Sequence, residues 1–254
     1  MKLMKEKRHE QIVQYIQQYQ NVTVRELAFQ LNLTPETIRK DLKELENLKR
    51  VTRFHGGAKQ YEPPAKEPKF MLKMNTNEEE KKRIAKVAAS LIESGDTIYV
   101  DVGTTTVHLA QYIVGDNIKI ITNSLAATQE FCRAIERKQF TGEVICVGGH
   151  VNYDQQSVAG SMTLEWMKHF YVQKSFISCG GITEQIVYDY DVDEAAISTY
   201  MVSQCDEAYL LVDSSKINKQ SFSAIGPLYV FKQIICSANC PWEEWEPIWR
   251  KVGN

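Results

Sequence analysis

The 254 residues, 43% hydrophobic and 24% charged, have the composition of an ordinary soluble protein and are enough for one large domain, or for a small one followed by a medium one. A formal net charge of −2 would by itself argue against a nucleic-acid binder, but residues 1–60 carry 12 Lys/Arg against 7 Asp/Glu and the remainder 18 against 25. A basic head on an acidic body is the pattern of a DNA-binding module attached to a domain that does something else. The charged N-terminal stretch is not followed by an apolar run, which excludes a secretory signal, and no stretch approaches transmembrane length, so a cytoplasmic protein with no membrane partner is expected. The six cysteines (Cys132, Cys146, Cys179, Cys205, Cys236, Cys240) form no C-x-x-C pair; they predict buried thiols and no metal site.

In chain order, residues 5–19 have a helical pattern with Ile12, Tyr15, Ile16 and Tyr19 on one side. Thr23 can cap a short helix, VRELAFQL, that buries Val24, Leu27, Ala28 and Leu31, and Asn32-Leu33 is a tight connection to the next cap, Thr34. Pro35 suits a first helical position, and Ile38, Leu42, Leu45 and Leu48 then mark one apolar stripe, with Glu36, Thr37, Arg39, Lys40 and Lys43 on other faces. Two short helices joined this way make a helix-turn-helix whose second helix can enter a major groove. Residues 51–55 alternate and end at Gly56-Gly57, as one strand of a small wing would. Taken singly, a capped helix with exposed Lys and Arg also fits a solvated surface helix.

The combination is more specific. TPETIRKDLKELE followed by R-F-H-G-G-A resembles the recognition helix and wing of the DeoR family of bacterial transcription regulators, and Arg8, Ile12 and Leu27-Ala28 match its earlier helices. Residues 1–58 are therefore expected to form a winged helix-turn-helix, with Thr34, Glu36, Thr37, Arg39 and Lys40 on the recognition helix, Arg53 and His55 on the wing, and Arg25 touching phosphate. Arg39 is the first candidate for base readout, because a guanidinium can take guanine in a bidentate manner. One such module offers a small surface, so a dimer or tetramer on repeated or palindromic operator half-sites is expected.

Residues 59–75, broken by Pro63-Pro64 and Pro68 and without a period, read as a linker. Residues 76–254 then alternate. Helical patterns at 78–94, 105–114, 125–137 and 194–205 fall among apolar strand-like runs at 97–102, 118–122, 143–148, 174–180 and 207–213. This predicts an α/β fold with a mostly parallel sheet covered by helices on both faces. In such sheets ligands bind beyond the carboxyl ends of the strands. Those ends carry Asp101, Gly103, Thr104, Thr105 and Thr106; Asn123 and Ser124; Gly148 and Gly149; Gly180 and Gly181; and Lys216. A glycine followed by threonines that open a helix can cradle a phosphate, with Lys216 as counter-charge, although the same run serves as a simple turn with a cap. Asp101, Asn123 and Glu194 could bind sugar hydroxyls.

This region is also similar to the DeoR C-terminal domain, through DVGTTT, TNS, Gly148-Gly149, Gly160, SFISCGGI, DEAAIS and VDSSK. The resemblance implies a fold like that of ribose-phosphate isomerase and an effector that is a phosphorylated sugar or related metabolite. Most members are repressors of carbohydrate metabolism genes. Thr104 stands where relatives often have Ser, residues 182–190 lack an expected Gly, and the Trp-rich tail departs from the family; Trp242, Trp245 and Trp249 lie at helical spacing, as in a packed cap or a subunit contact. The alternatives are a sugar-phosphate isomerase moving a proton with Asp193 or Glu194, against which the recognition helix argues, and an adaptor with a vestigial site. No cofactor is expected, because no G-x-G-x-x-G or P-loop spacing is present.

Overall fold

The computed structural model describes residues 2–19, 21–48, 50–54, 56–60 and 67–253. It divides into two compact units, Met1–Ala65 and Lys66–Asn254.

The first unit runs α1 (Lys2–Tyr19), β1 (Asn21–Thr23), α2 (Val24–Gln30), α3 (Pro35–Asn47), β2 (Val51–Phe54) and β3 (Gly57–Gln60). Both caps expected from the sequence form. The Thr23 side chain accepts from Glu26 N–H while the Glu26 carboxylate accepts from Thr23 N–H, a reciprocal box that fixes the start of α2. Thr34 Oγ1 accepts from Thr37 N–H with Pro35 in the first turn, and Asn32, at φ 49°, supplies the left-handed residue of the turn between the helices. The wing is a three-stranded antiparallel sheet in the order β1-β3-β2, so its second strand extends to Gln60, inside the stretch read as linker.

Its core gathers Ile12, Val13 and Ile16 of α1, Val24, Leu27 and Ala28 of α2, and Ile38, Leu42 and Leu45 of α3. Leu48, expected on that stripe, is 63% exposed at the helix end, and Tyr19 is also exposed. A buried carboxylate lies beside it: Asp41, 1% exposed, takes two hydrogen bonds from Arg8 (2.6 and 2.8 Å) and lies 3.2 Å from His9 Nε2. The pair joins α1 to the back of α3 and holds the Asp41 carboxyl below its usual range against the opposing effect of burial.

The second unit begins with α4 (Phe70–Met74), a short helix where no period was legible, and α5 (Glu78–Ala89). It continues through β4 (Thr97–Val100), β5 (Gly115–Thr122), α6 (Leu125–Glu136), β6 (Phe140–Cys146), β7 (His150–Asn152), β8 (Ser157–Ala159), α7 (Ser161–Met167) and β9 (Val172–Ile177). Then follow β10 (Gly181–Ile182), β11 (Ile186–Asp189), α8 (Val192–Ser203), β12 (Cys205–Val212), β13 (Ser223–Pro227), β14 (Gln233–Cys236) and β15 (Trp249–Lys251). Seven strands form one sheet in the order β15-β14-β12-β9-β4-β5-β6, and every pairing in it is parallel.

Alternate residues of the same strands supply two cores. Ile98 and Val100 of β4 and Phe176 of β9 face α5 and α6, while Tyr99 and Ile177 face the side of α7 and α8. Burial on both faces is why these strands read as continuous apolar runs. A small antiparallel sheet, β10-β11-β13, and the hairpin β7-β8 complete the unit.

Three expectations are corrected. Residues 105–114 hold only a 3-10 turn, Thr106–Gln111, in place of an α-helix. The tryptophans do not share one helix, since a 3-10 turn spans Glu243–Ile248, with Pro247 inside it, and Trp249 then opens β15 on the sheet edge, but Trp242, Trp245 and Trp249 do pack on the core as a cap would. The thiols are not uniformly buried, since Cys132 and Cys146 are exposed and Cys205 and Cys240 half-buried.

Candidate functional site

In the first unit, the outer side of α3 and the neighbouring wing form one candidate surface. Arg25, Thr34, Glu36, Arg39 and Lys40 are exposed, and Thr37 is half-buried with its hydroxyl 2.8 Å from that of Thr34. Among the described residues, no carboxylate lies within ion-pair distance of Arg25, Arg39 or Lys40. Arg53 differs, for its guanidinium lies 3.7 Å from Glu46 and its N–H donates to the same carboxylate. His55 lies outside the described residues. Cations left unpaired on a helix whose back is pinned by a buried Arg–Asp pair are free to meet phosphates and base edges.

In the second unit the strand order decides the site. From β4 the chain moves outward to β5 and β6, then returns to place β9 on the other side of β4 and continues outward to β12 and β14. The reversal between β4 and β9 is a topological switch point, where a parallel sheet leaves a crevice. A cleft of about 460 Å³, its open mouth included, lies there, lined by residues following β4 (Val102 to Thr105), β9 (Ser178 to Gly180) and β12 (Asp213 and Lys216), by Asp189, Tyr190 and Glu194, and by Glu67 and Lys73.

Six of the residues expected at an effector site line this cleft: Gly103, Thr104, Thr105, Gly180, Glu194 and Lys216. A Cβ on Gly103 would run into Ser178, and one on Gly180 into the Tyr190 ring, so both glycines let neighbouring loops close against each other. The N–H groups of Gly103, Thr104 and Thr105 reach no acceptor among the described residues, although Thr104 and Thr105 are buried. Unpaired buried N–H groups are rare and costly, and an anion would satisfy them. The 3-10 turn after them is too short for the helix dipole that the sequence suggested, so the cradle consists of N–H and hydroxyl groups. Lys216, above the Tyr190 ring at 5.5 Å, provides the positive charge.

The other seven expected residues do not line the cleft. Asp101 lies buried beneath it, accepting from Tyr99 OH (2.9 Å), Ser198 Oγ (3.0 Å) and Ser178 N–H (3.2 Å); burial pushes its carboxyl up to about 6. Thr106 is turned inward, its hydroxyl on the Asp101 and Gly103 carbonyls. Asn123 accepts from Tyr99 OH and donates to the Val158 carbonyl, and Ser124 caps α6 by accepting from Ala127 N–H. Gly148 and Gly149 follow β6, at the far end of the sheet, where Gly148 accepts from Thr163 and a Cβ on Gly149 would strike the same hydroxyl. Gly181 is packed against the Lys219 backbone. These residues brace the loops or sit beyond β5, a distinction set by a strand order that residue types do not reveal.

Of the residues not assigned to the site from sequence, Asp189 and Tyr190 come from the segment that departs from the family pattern. Burial pushes Asp189 up to about 7, with Asp101 and Glu67 adding to the rise. Glu194, 5% exposed and accepting from the Ser157 hydroxyl, is pushed up to about 8 by burial and by Asp189. Asp193, the other carboxyl considered for proton transfer, is exposed. Behind the cleft Lys81 is buried, donates to the Lys73 carbonyl and is pushed down to about 8 by burial. The cleft thus holds two kinds of polar group: an N–H and lysine side suited to an anion, and a carboxyl side suited to hydroxyls.

A winged helix-turn-helix unit with exposed cations, followed by a unit with a polar crevice at its topological switch point, defines a ligand-responsive DNA-binding regulator. The comparisons specify which. Residues 8–63 match the DeoR-like helix-turn-helix domain and residues 76–238 the DeoR C terminal sensor domain. The chain belongs to the DeoR family of transcription regulators and is not an enzyme. It is 44% identical over 202 residues to an HTH-type transcriptional regulator of Staphylococcus epidermidis, covering 79% of each chain. It is 34% identical to the lactose phosphotransferase system repressor of Streptococcus mutans, covering 87% of this chain and 88% of that one. Among solved structures it is similar to ribose 5-phosphate isomerase A from Methanocaldococcus jannaschii, at 15% identity over 57% of this chain and 56% of that one with a TM-score of 0.39, a likeness too loose to carry an argument. No helix among the described residues is long and apolar enough to cross a membrane.

Proposed function

We propose that this regulator is a cytoplasmic repressor of carbohydrate metabolism genes. It binds operator DNA through α3 and the wing as a dimer or tetramer, and a phosphorylated sugar in the second unit's cleft releases it. The observation that carries the sensor half is the pairing, in one crevice, of three N–H groups that belong to buried residues and reach no acceptor among the described residues, and a lysine, with a set of carboxyls. The phosphate would take the N–H groups of Gly103, Thr104 and Thr105 and the charges of Lys216 and Lys73, and the sugar hydroxyls would donate to Asp189 and Glu194. The repressor names of relatives such as the Streptococcus mutans protein support the direction of control. Release requires that the effector bind the DNA-free arrangement more tightly than the DNA-bound one.

The reading is tested by fluorescence anisotropy of labelled DNA from upstream of this protein's own gene, at physiological salt, with sugar phosphates added one at a time. Tight binding released by one compound is the expected result. Binding no tighter than to unrelated DNA, or tight binding indifferent to every sugar phosphate, would count against the first or the second half of the proposal respectively.

A further inference from the structure

The cleft is not lined by the sheet alone. Glu67 and Lys73 come from the segment 67–74, which lies seven residues after the last wing strand begins its exit at Gln60 and before the first long helix of the second unit. The segment is well anchored at its middle. Phe70 is 3% exposed, its N–H donates to the Asp154 carbonyl (2.8 Å), Gln155 Nε2 donates to the Pro68 carbonyl (3.2 Å) and Lys69 pairs with Asp154 (2.9 Å). Its two ends meet inside the cleft, where the Lys73 ammonium is paired with the Glu67 carboxylate and both side chains are mostly shielded, at 18% and 14% exposure.

Glu67 is poorly placed for an ordinary stabilising ion pair. Among the described residues it has one cationic partner, Lys73, and it adds to the rise of two neighbouring carboxyls, Asp189 and Glu194. Like charges gathered in a shielded site destabilise one another. The arrangement makes sense if the carboxylate holds a place that something else is built to take. We propose that Glu67 is the internal competitor of the effector's anionic group: it neutralises Lys73 while the cleft has no ligand, and an entering phosphate displaces it, freeing the start of the segment 67–74. This rests on the effector reading above and adds a selection rule to it. A neutral sugar offers Lys73 nothing to replace the carboxylate and leaves Glu67 in place, whereas a phosphate dianion outcompetes a single carboxylate by charge. Phosphorylated and unphosphorylated forms of one sugar are thereby distinguished, and the displaced residue lies on the stretch of chain through which the DNA-binding unit is attached.

The test compares the full-length protein with E67Q, which keeps the size of the side chain and removes its charge. The probe is inorganic phosphate, with an unphosphorylated hexose as control; binding is followed by calorimetry and the segment 67–74 by hydrogen exchange. E67Q is expected to bind phosphate roughly tenfold more tightly. Its segment 67–74 should exchange fast without ligand, whereas in the parent protein exchange there should rise on adding phosphate. The hexose should change neither. Phosphate binding that is equal or weaker in E67Q, or phosphate that slows exchange over 67–74 in the parent protein, overturns the role of Glu67 and leaves the effector reading standing. Absence of phosphate and sugar-phosphate binding in both proteins would overturn the two together. A far-ultraviolet circular dichroism spectrum of E67Q that matches the parent protein's serves as the check that the variant is folded.

Discussion

On α3, Arg39 and Lys40 stand exposed with no carboxylate in ion-pair reach among the described residues, whereas in the cleft Lys73 is held by Glu67 and Lys216 lies over the Tyr190 ring. The contrast follows from what each unit must bind. DNA is a long polyanion, and exposed cations gain from it by releasing its counterions at little desolvation cost. A small effector has to be told apart from its chemical relatives, and that requires shielded groups whose hydrogen bonds fail when the wrong molecule enters. The first unit keeps the part-buried pair of Arg8 with Asp41 on the inner side of α3, where it positions the helix without occupying the exposed cations.

Substitutions can break this division at either side. The largest effect is expected from Thr105→Glu, which puts a carboxylate into the N–H cradle; effector-dependent release from DNA should disappear while operator affinity stays, and normal release would remove Thr105 from the site. Asp41→Ala should destabilise the first unit by about 2–4 kcal/mol, since it leaves Arg8 and His9 without their shared partner. Its thermal transition should fall while that of the sensor unit is unchanged, and an undisturbed first transition would show the pair to be dispensable. Arg39→Ala is expected to cost about 1–3 kcal/mol on a specific operator and little on unrelated DNA. Equal losses on both would make Arg39 a phosphate contact only.

The smallest effect concerns pH. Burial pushes Glu194 up to about 8 and Asp189 up to about 7, above ordinary carboxyls at 4.5 and 3.8, so the folded state retains protons that the unfolded chain has released. The contribution of these two carboxyls to ligand-free stability is then fullest below about pH 4 and declines as pH rises toward 8. Glu194→Gln, which can still accept from Ser157, should raise stability at pH 8 by about 1–2 kcal/mol and flatten melting temperature against pH. A loss that is the same at pH 6 and pH 8 would mean that the carboxyl works as a paired anion.

The helix-turn-helix was legible because its signals are local. Thr23, Thr34 and Pro35 set helix starts within a few residues, and Ile38, Leu42 and Leu45 repeat at the period of the helix. Leu48 continued the period but lay past the last turn, where it stays mostly exposed. In the second unit the parallel sheet was legible from its doubly buried strands, and the ends of β4, β9 and β12 gave Gly103, Thr104, Thr105, Gly180 and Lys216. The ends of β5 and β6 look the same in composition, and only the order of strands separates Asn123 or Gly149 from the cleft. Glu67 and Lys73 were hidden for another reason: they sit in a proline-broken stretch with no period, and they reach the cleft through Phe70, a single anchor that no repeating pattern announces.

The strand β15 has a practical consequence for anyone who shortens or tags this chain. It pairs with β14 through Trp249, Arg250 and Lys251, and Trp249 also donates from its indole to the Ala238 carbonyl. Cutting after Cys240 would leave Ile234, Ile235 and Cys236 with an open row of backbone donors and acceptors beside an uncovered apolar surface, the usual template for strand addition between molecules. Such a truncation is more apt to precipitate than to yield a minimal sensor, and a solubility tag on the far side of Lys251 is a safer handle than a shorter chain.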